Sequence, residues 1–286
     1  MHPLAITLLL IASVTHAVWN FAAKRVDGGG AVFVWLYYSV SAVLCVPIAV
    51  GELVVDGARP QWWWLLASVG TAMLHVGYGV LLQRGYAVGD MSVVYPLARG
   101  TGPLLSVVAA VLFLGERPGV LGMLGAAAVV VGVCVISAGR NHSGRPMLAS
   151  VVYGVLTGAM IAGYTVWDAH SVNAVGMPPI LYFAAGSVFQ SVLLAPYALA
   201  RKPEIARLWG RYRREVLTVA VLSPLAYLLV LFTMRTTPVS VVAPVRELSI
   251  VIGSLIAWRV LAEPNPARRL VGAAIVLGGI VGIALG

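Results

Sequence analysis

Charge is what this sequence has least of. Only 10% of its 286 residues are Asp, Glu, Lys or Arg, against roughly 25% in a soluble domain, so most of the chain is not built to face water. Cysteine is nearly absent too. Cys45 and Cys134 lie inside aliphatic runs and read as small buried apolar residues rather than as a disulfide or a metal site. There is no P-loop, dinucleotide fingerprint, nucleophile triad or cluster with metal-ligand spacing. No cofactor or resident metal is implied, and an ATP-driven pump is not expected. The alternating segments of about 10 residues that an outer-membrane barrel requires are missing as well.

What is present is apolar length. The chain is 60% hydrophobic with a mean hydropathy of +0.94, and runs of about 20 apolar residues recur along it, the length a helix needs to cross a hydrocarbon core. The expectation is an all-α integral membrane protein of ten spans. Their expected limits are 3–22, 31–51, 62–83, 91–114, 120–138, 147–167, 179–199, 216–234, 239–260 and 269–286. Leu4 to Ile11 followed by Thr15-His16-Ala17 resembles a signal peptide, but no Lys or Arg precedes it and polar residues continue through it. It reads as the first span. Trp62, Trp63 and Trp64, and later Trp209 and Tyr212, suit an interfacial aromatic belt.

The net charge of +9 does not point to nucleic acid, because Lys and Arg are confined to short connections where they serve topology. Connections leaving odd-numbered spans hold Lys24, Arg25, Arg84, Arg140, Arg145, Arg201, Lys202, Arg207, Arg211, Arg213, Arg214, Arg259 and Arg268; the opposite side holds Arg59, Arg117 and Arg235. This places both termini outside the cytoplasm of a cell (inner or plasma) membrane. Residues 139–146, Gly-Arg-Asn-His-Ser-Gly-Arg-Pro, read as a hinge between halves. The basic connection 200–214 reads as an anchor against acidic lipid. The expected partners are membrane lipid and a small-molecule substrate.

The chain repeats itself. A shift of 148 lays Val18-Trp19-Asn20 on Val166-Trp167-Asp168, His16 on Tyr164, and Ser92-Val93-Val94 with Pro96 on Ser240-Val241-Val242 with Pro244. A shift of 147 lays Arg99 on Arg246, Glu116 on Glu263 and Gly125-Ala126-Ala127 on Gly272-Ala273-Ala274. The units are residues 1–139 and 147–286, with five spans each. Because five is odd, the second unit crosses in the opposite sense. Such inverted repeats are a hallmark of secondary transporters with a site near the midplane.

Tyr95-Pro-Leu-Ala-Arg-Gly-Thr-Gly-Pro-Leu104 followed by Phe113-Leu-Gly-Glu-Arg-Pro118, with the second-half counterpart ending Leu261-Ala-Glu263, resembles the drug/metabolite transporter superfamily. More narrowly it resembles that superfamily's EamA-type ten-helix members, over the whole chain. The resemblance implies alternating access through a cavity walled by both halves. Relatives of this kind move amino acids, other metabolites, nucleotide sugars or drugs.

Arg99 and Arg246 fall well inside spans, where an Arg costs about 2.5–3.5 kcal/mol and usually faces a cavity. They can hold a carboxylate or phosphate bidentately, or one of them can pair with Glu247. Helical spacing puts Tyr95 on the face of Arg99, and Ser249 and Gly253 on that of Arg246, with Glu247 turned about 100° away. Pro96 and Pro244 each free a carbonyl one turn upstream. His16, Trp19 and Asn20 share one face of the first helix and Tyr164, Trp167 and Asp168 one face of the sixth; either pair of faces lines the substrate path or serves packing and anchoring. Tyr78 and Tyr227 are further lining candidates. Asp168, Glu247 and His75 are candidates for proton coupling or gating, and His75 can equally be a hydrogen-bonded structural residue. Glu116 and Glu263 sit at helix ends and suit capping. Gly278, Gly282 and Gly286 form a small-residue stripe for helix packing.

Taken together, these residues point to a secondary transporter, an exporter of small polar or amphipathic metabolites such as amino-acid-like or organic anionic compounds. The alternatives are an intramembrane lipid-modifying enzyme and a non-transporting sensor. An enzyme should gather acid and base groups at one depth, whereas these polar residues are divided between the repeats.

Overall fold

The computed structural model describes residues 2–28, 30–57, 59–137, 147–253 and 266–285. Its helices are α1 (Pro3–Lys24), α2 (Gly30–Asp56), α3 (Trp62–Val88), α4 (Met91–Phe113), α5 (Val120–Ser137), α6 (Met147–Asn173), α7 (Pro179–Leu199), α8 (Lys202–Met234), α9 (Val239–Arg246) and α10 (Pro266–Leu285). No strand occurs among the described residues. In lipid every backbone polar group must be satisfied within the protein, and helices do this one segment at a time. Seven helices, α1 to α4 and α6 to α8, are long and apolar enough to cross a membrane, and Val120–Ile136 and Leu270–Leu285 are shorter apolar helices. Val54, Val55, Leu112, Phe113 and Leu148 stand out from the bundle, which a hydrocarbon surrounding accommodates and water would not. The chain is a multi-pass membrane protein.

Helix pairing follows the repeat. α2 packs on α7, α4 on α9 and α5 on α10, each on its own counterpart, while α1 on α8 mirrors α6 on α3, and α2 on α8 mirrors α7 on α3. This is the pattern of two inverted five-helix units. One asymmetry stands out. α6 also packs on α7, α8 and α9, whereas α1 makes no comparable contact with α2, α3 or α4 among the described residues.

Three expectations are corrected here. The basic segment 200–214 is not a loop, because α8 begins at Lys202 and bends at Tyr212 (φ −122°, ψ 26°) without ending. Its inner face explains this: Leu208 and Tyr212 are buried against Val32, Phe33 and Leu36. Arg207 meanwhile donates to the carbonyls of Asp27 and Gly28 at 3.4 and 3.3 Å. The ninth span is not a continuous helix over its described part. α9 stops at Arg246, Glu247 (φ −67°, ψ −9°) forms a tight turn whose N–H reaches the Pro244 carbonyl, and helix resumes over 248–253. Pro244 has no N–H to give the preceding turn, which weakens the ladder there. The glycine stripe is corrected in part: Gly282 does meet the α5 backbone at Gly125, but Gly278 faces open space and the tightest approach falls at Gly279, where a Cβ would sit 2.6 Å from the Gly125 carbonyl, as one on Gly125 would sit 2.5 Å from the Gly279 carbonyl. α5 and α10 therefore approach backbone to backbone through Gly125, Gly132, Gly272 and Gly279. The expected hinge at 139–146, the last part of the ninth span, Arg259, Glu263 and Gly286 lie outside the described residues.

Candidate polar site between the repeats

α4 and α9 meet at the middle of the bundle and carry the costly charges inward. Arg99 Nη2 lies 3.0 Å from Glu247 Oε2, with side-chain exposures of 13% and 0%. The carboxylate oxygens have no well-directed hydrogen bond and neither has Arg99 Nε, so charge and proximity rather than aligned N–H···O bonds hold this pair. Glu247 sits in the turn that ends α9, directly after Arg246.

Arg246 is also buried but has no such partner. Its Nη2 donates to Thr165 Oγ1 at 3.5 Å, its guanidinium carbon lies 5.9 Å from the Tyr164 ring centre, and among the described residues no carboxylate is within ion-pair distance of it. A guanidinium in this state presents donors in a fixed fork with little to receive them.

Aromatic rings surround these charges. His75 of α3 stacks on Tyr164 of α6 with centroids 4.2 Å apart, and Tyr227 of α8 meets His75 edge-on at 5.7 Å. Tyr78 approaches Tyr164 at 5.9 Å and Tyr37 touches Tyr38 at 4.6 Å. Tyr95, Tyr78 and Tyr164 lie within electrostatic range of Arg99, and His16 within range of both arginines. Asp168, fully buried, accepts hydrogen bonds from the hydroxyls of Tyr182 on α7 and Tyr227 on α8.

The expected site residues divide into two groups. Arg99, Arg246, Glu247, Tyr95, Tyr78, Tyr164, His16 and His75 are brought together, with Tyr227 and Asp168 adjoining them. His75 is also anchored on its own helix, Nδ1 lying 2.9 Å from the Thr71 carbonyl. The other three stand apart. Asn20 is exposed and donates only to the His16 carbonyl one turn back, at 2.8 Å. Trp167 packs over Gly70 and donates to the Ala67 carbonyl at 2.9 Å. Trp19 meets His16 edge-on at 4.7 Å with its indole N–H unpartnered. The sequence reading missed Tyr37, Tyr38, Tyr182 and Thr165. Their signal was available as hydroxyl-bearing side chains in otherwise aliphatic turns. The polar groups come from both repeats, as expected, yet they are gathered rather than strung along a path.

Glu116 performs a cap of unexpected reach. After α4 the chain turns at Gly115 (φ +70°), and the Glu116 carboxylate accepts from the N–H groups of Val239 at 2.7 Å and Ser240 at 2.8 Å. α9 is preceded by Pro238, which supplies no side-chain cap; a carboxylate from the first repeat takes the two orphan donors at the positive helix end instead. Outside the bundle, a cleft of about 220 Å³ between α2 and α7, lined by Val46, Ala49, Val50, Leu181, Ala184 and Phe189, has no polar group to orient a solute. No group of three or more His, Cys, Asp or Glu that could hold a metal occurs among the described residues.

The model of the EamA-like transporter family matches residues 3–138 and again 148–285. The chain belongs to the EamA-like transporter family. It is thus a membrane transporter of the drug/metabolite type, and the family's members are transporters rather than enzymes. An uncharacterized protein of Methanocaldococcus jannaschii is 28% identical over 136 residues, which is 46% of this chain and 96% of that protein. That relative is about as long as one repeat. A crystal structure superposes with a TM-score of 0.80 at 16% identity, over 98% of this chain and 96% of that one; it bears on the fold alone.

Proposed function

We propose that this EamA-family chain exports small amino-acid-like or organic anionic metabolites by alternating access, with Arg246 as the anchor for a carboxylate or phosphate. The observation that carries this reading is the difference between the two buried arginines. Glu247 pairs directly with Arg99, while among the described residues Arg246 contacts a hydroxyl and a ring face, with Glu247 only within electrostatic range. A buried guanidinium without an anion is expensive, and a substrate anion supplies what is missing in a bidentate form. The rings of Tyr164, Tyr78, Tyr227 and His75 beside it suit the organic part of an amphipathic solute. Arg99 and Glu247 then act as the neighbouring gate pair, which an incoming anion can loosen by competing for Arg99.

A cell-membrane location with both termini outside the cytoplasm follows from the charge count. It is supported by Arg207 bonding to Asp27 and Gly28, which puts the basic start of α8 beside the first connection, at one end of the bundle. There Asn20 bonds only within α1, so that end is the less tightly held one. If it faces the cytoplasm, this conformation is poised to take substrate from inside, which supports export.

The test is a thermal-shift panel of purified protein against anionic, zwitterionic and cationic metabolites. Anions or zwitterions should stabilise wild type and not Arg246→Ala. Stabilisation by cations alone, or anion binding that survives the substitution, would remove Arg246 from this role.

A further inference from the structure

The two ends of the pathway are not chemically equivalent, and the repeat makes the comparison direct. Trp167 and Asp168 on α6 correspond to Trp19 and Asn20 on α1. At the end where α6 runs into α7, both second-repeat residues are engaged. Trp167 donates to the Ala67 carbonyl on α3, and Asp168 is gripped by Tyr182 of α7 and Tyr227 of α8. Asn173 adds a bond to the Met234 carbonyl at 2.9 Å, and Trp64 one to the Val175 carbonyl at 3.4 Å. At the opposite end the counterparts make no hydrogen bond to another helix among the described residues: Trp19 packs against the cluster of Val32, Phe33, Leu36, Leu208 and Tyr212 with its indole N–H unpartnered, and Asn20 bonds only within its own helix. The helix packing points the same way among the described residues, since α6 closes on α7, α8 and α9 while α1 packs chiefly on α8.

We propose that Asp168, Tyr182 and Tyr227 form a proton-operated latch that shuts the pathway at the end bearing the α6–α7 and α8–α9 connections, and that the opposite gate, with Asn20 in the equivalent place, does not respond to protons. The chemistry is simple. An ionised carboxylate accepts two charge-assisted hydrogen bonds from neutral phenols, tying three helices together. A proton taken from water onto one Asp168 oxygen removes the negative charge and turns one acceptor into a donor, so the two tyrosine O–H groups, which keep their own protons, no longer both find a strong acceptor. Asn20 cannot undergo this change.

The groups that face Asp168 are uncharged or remote enough to leave it as the switch. Tyr182 and Tyr227 touch it, Tyr164 lies one turn back on α6, and Tyr38 of α2 lies within electrostatic range. Thr71 of α3 and Ser171 of α6 stand beside Tyr182. His75 of α3 contacts the Tyr164 and Tyr227 rings, Arg246 of α9 lies within range of Tyr227, and His170 is exposed on α6. His75 and His170 are the imidazoles nearest to it, and each has its own control below.

The inference builds on the transporter reading, but its test needs no substrate. In full-length protein with Cys45→Ala and Cys134→Ala, spin labels at Ala174 and Thr236 report the latched end, and labels at Arg25 and Val88 the other. As pH falls across the range in which the protein stays folded, the Ala174–Thr236 distances should move to a longer population by about tenfold in the open-to-closed ratio, the scale of one lost charge-assisted hydrogen bond. Asp168→Asn should be open at every pH, Tyr227→Phe should open partly and keep its pH response, and His75→Gln and His170→Gln should respond like wild type. An unchanged wild-type distribution across pH, or a pH response retained in Asp168→Asn, would overturn the proposal. Loss of anion binding with an intact latch response would instead refute only the Arg246 reading. The wild-type titration keeps the test decisive even where a variant fails to fold.

Discussion

Replacing Glu247 with Gln removes one charge and almost no volume, which makes it the cleanest probe of the central ion pair. Glu247 is fully buried and Arg99 retains 13% side-chain exposure, at an N···O separation of 3.0 Å. At an effective dielectric constant of about 20, unit charges about 3–4 Å apart attract by roughly 4–5.5 kcal/mol. Breaking a buried pair by deleting one partner typically costs about 3–5 kcal/mol, because the other charge is stranded. The residual exposure of Arg99 puts the expectation at the lower end, about 3 kcal/mol. The double variant Arg99→Leu/Glu247→Leu strands nothing and should lie near wild type or above it. The assay is unfolding of purified protein in mixed micelles titrated with SDS, read by tryptophan fluorescence for wild type, both singles and the double. If Glu247→Gln falls within about 0.5 kcal/mol of wild type, or the double loses as much as the two singles summed, the pair does not carry the energy assigned to it.

Arg246→Ala should behave in the opposite sense, leaving stability unchanged or raised, since it removes a buried charge and forfeits one long hydrogen bond, while abolishing anion-dependent thermal shifts. Glu116→Gln should speed hydrogen exchange at the amides of Val239 and Ser240 and cost about 1–3 kcal/mol, because both bonds there end on the carboxylate; unchanged exchange over 236–242 would count against the clasp. Gly279→Val should destabilise the α5–α10 contact by about 1–3 kcal/mol in the same unfolding assay, with Gly278→Val close to silent.

The membrane class, the span count and the inverted repeat were legible because each rests on a repeated physical demand. A hydrocarbon core fixes span length, and paired Trp, Pro, Arg and Glu in one order betray duplication. The charges of the site were legible for the same reason, since Arg99, Arg246, Glu247 and Asp168 are costly wherever they stand in an apolar run. Their partners were not. The ninth span was expected as one continuous helix; Pro244 carried the hint of a break, but only packing decides that the turn falls at Glu247. Asp168 was legible as an acid in an apolar run, while Tyr182, fourteen residues on and in the next helix, became its partner only through the fold. The basic start of α8 misled for a different reason. Polar composition suggested a connection, and the buried face supplied by Leu208 and Tyr212 was enough to keep it helical.

The account rests most heavily on Arg246 as the anchor for an anionic group on the transported solute. Its most direct test is counterflow uptake in proteoliposomes of whichever anionic or zwitterionic compound stabilises the purified protein, comparing wild type, Arg246→Lys and Arg246→Ala. The account predicts uptake by wild type, a weakened apparent affinity with Lys, which keeps the charge but loses the planar fork, and none above empty liposomes with Ala. Uptake by Arg246→Ala equal to wild type would contradict it.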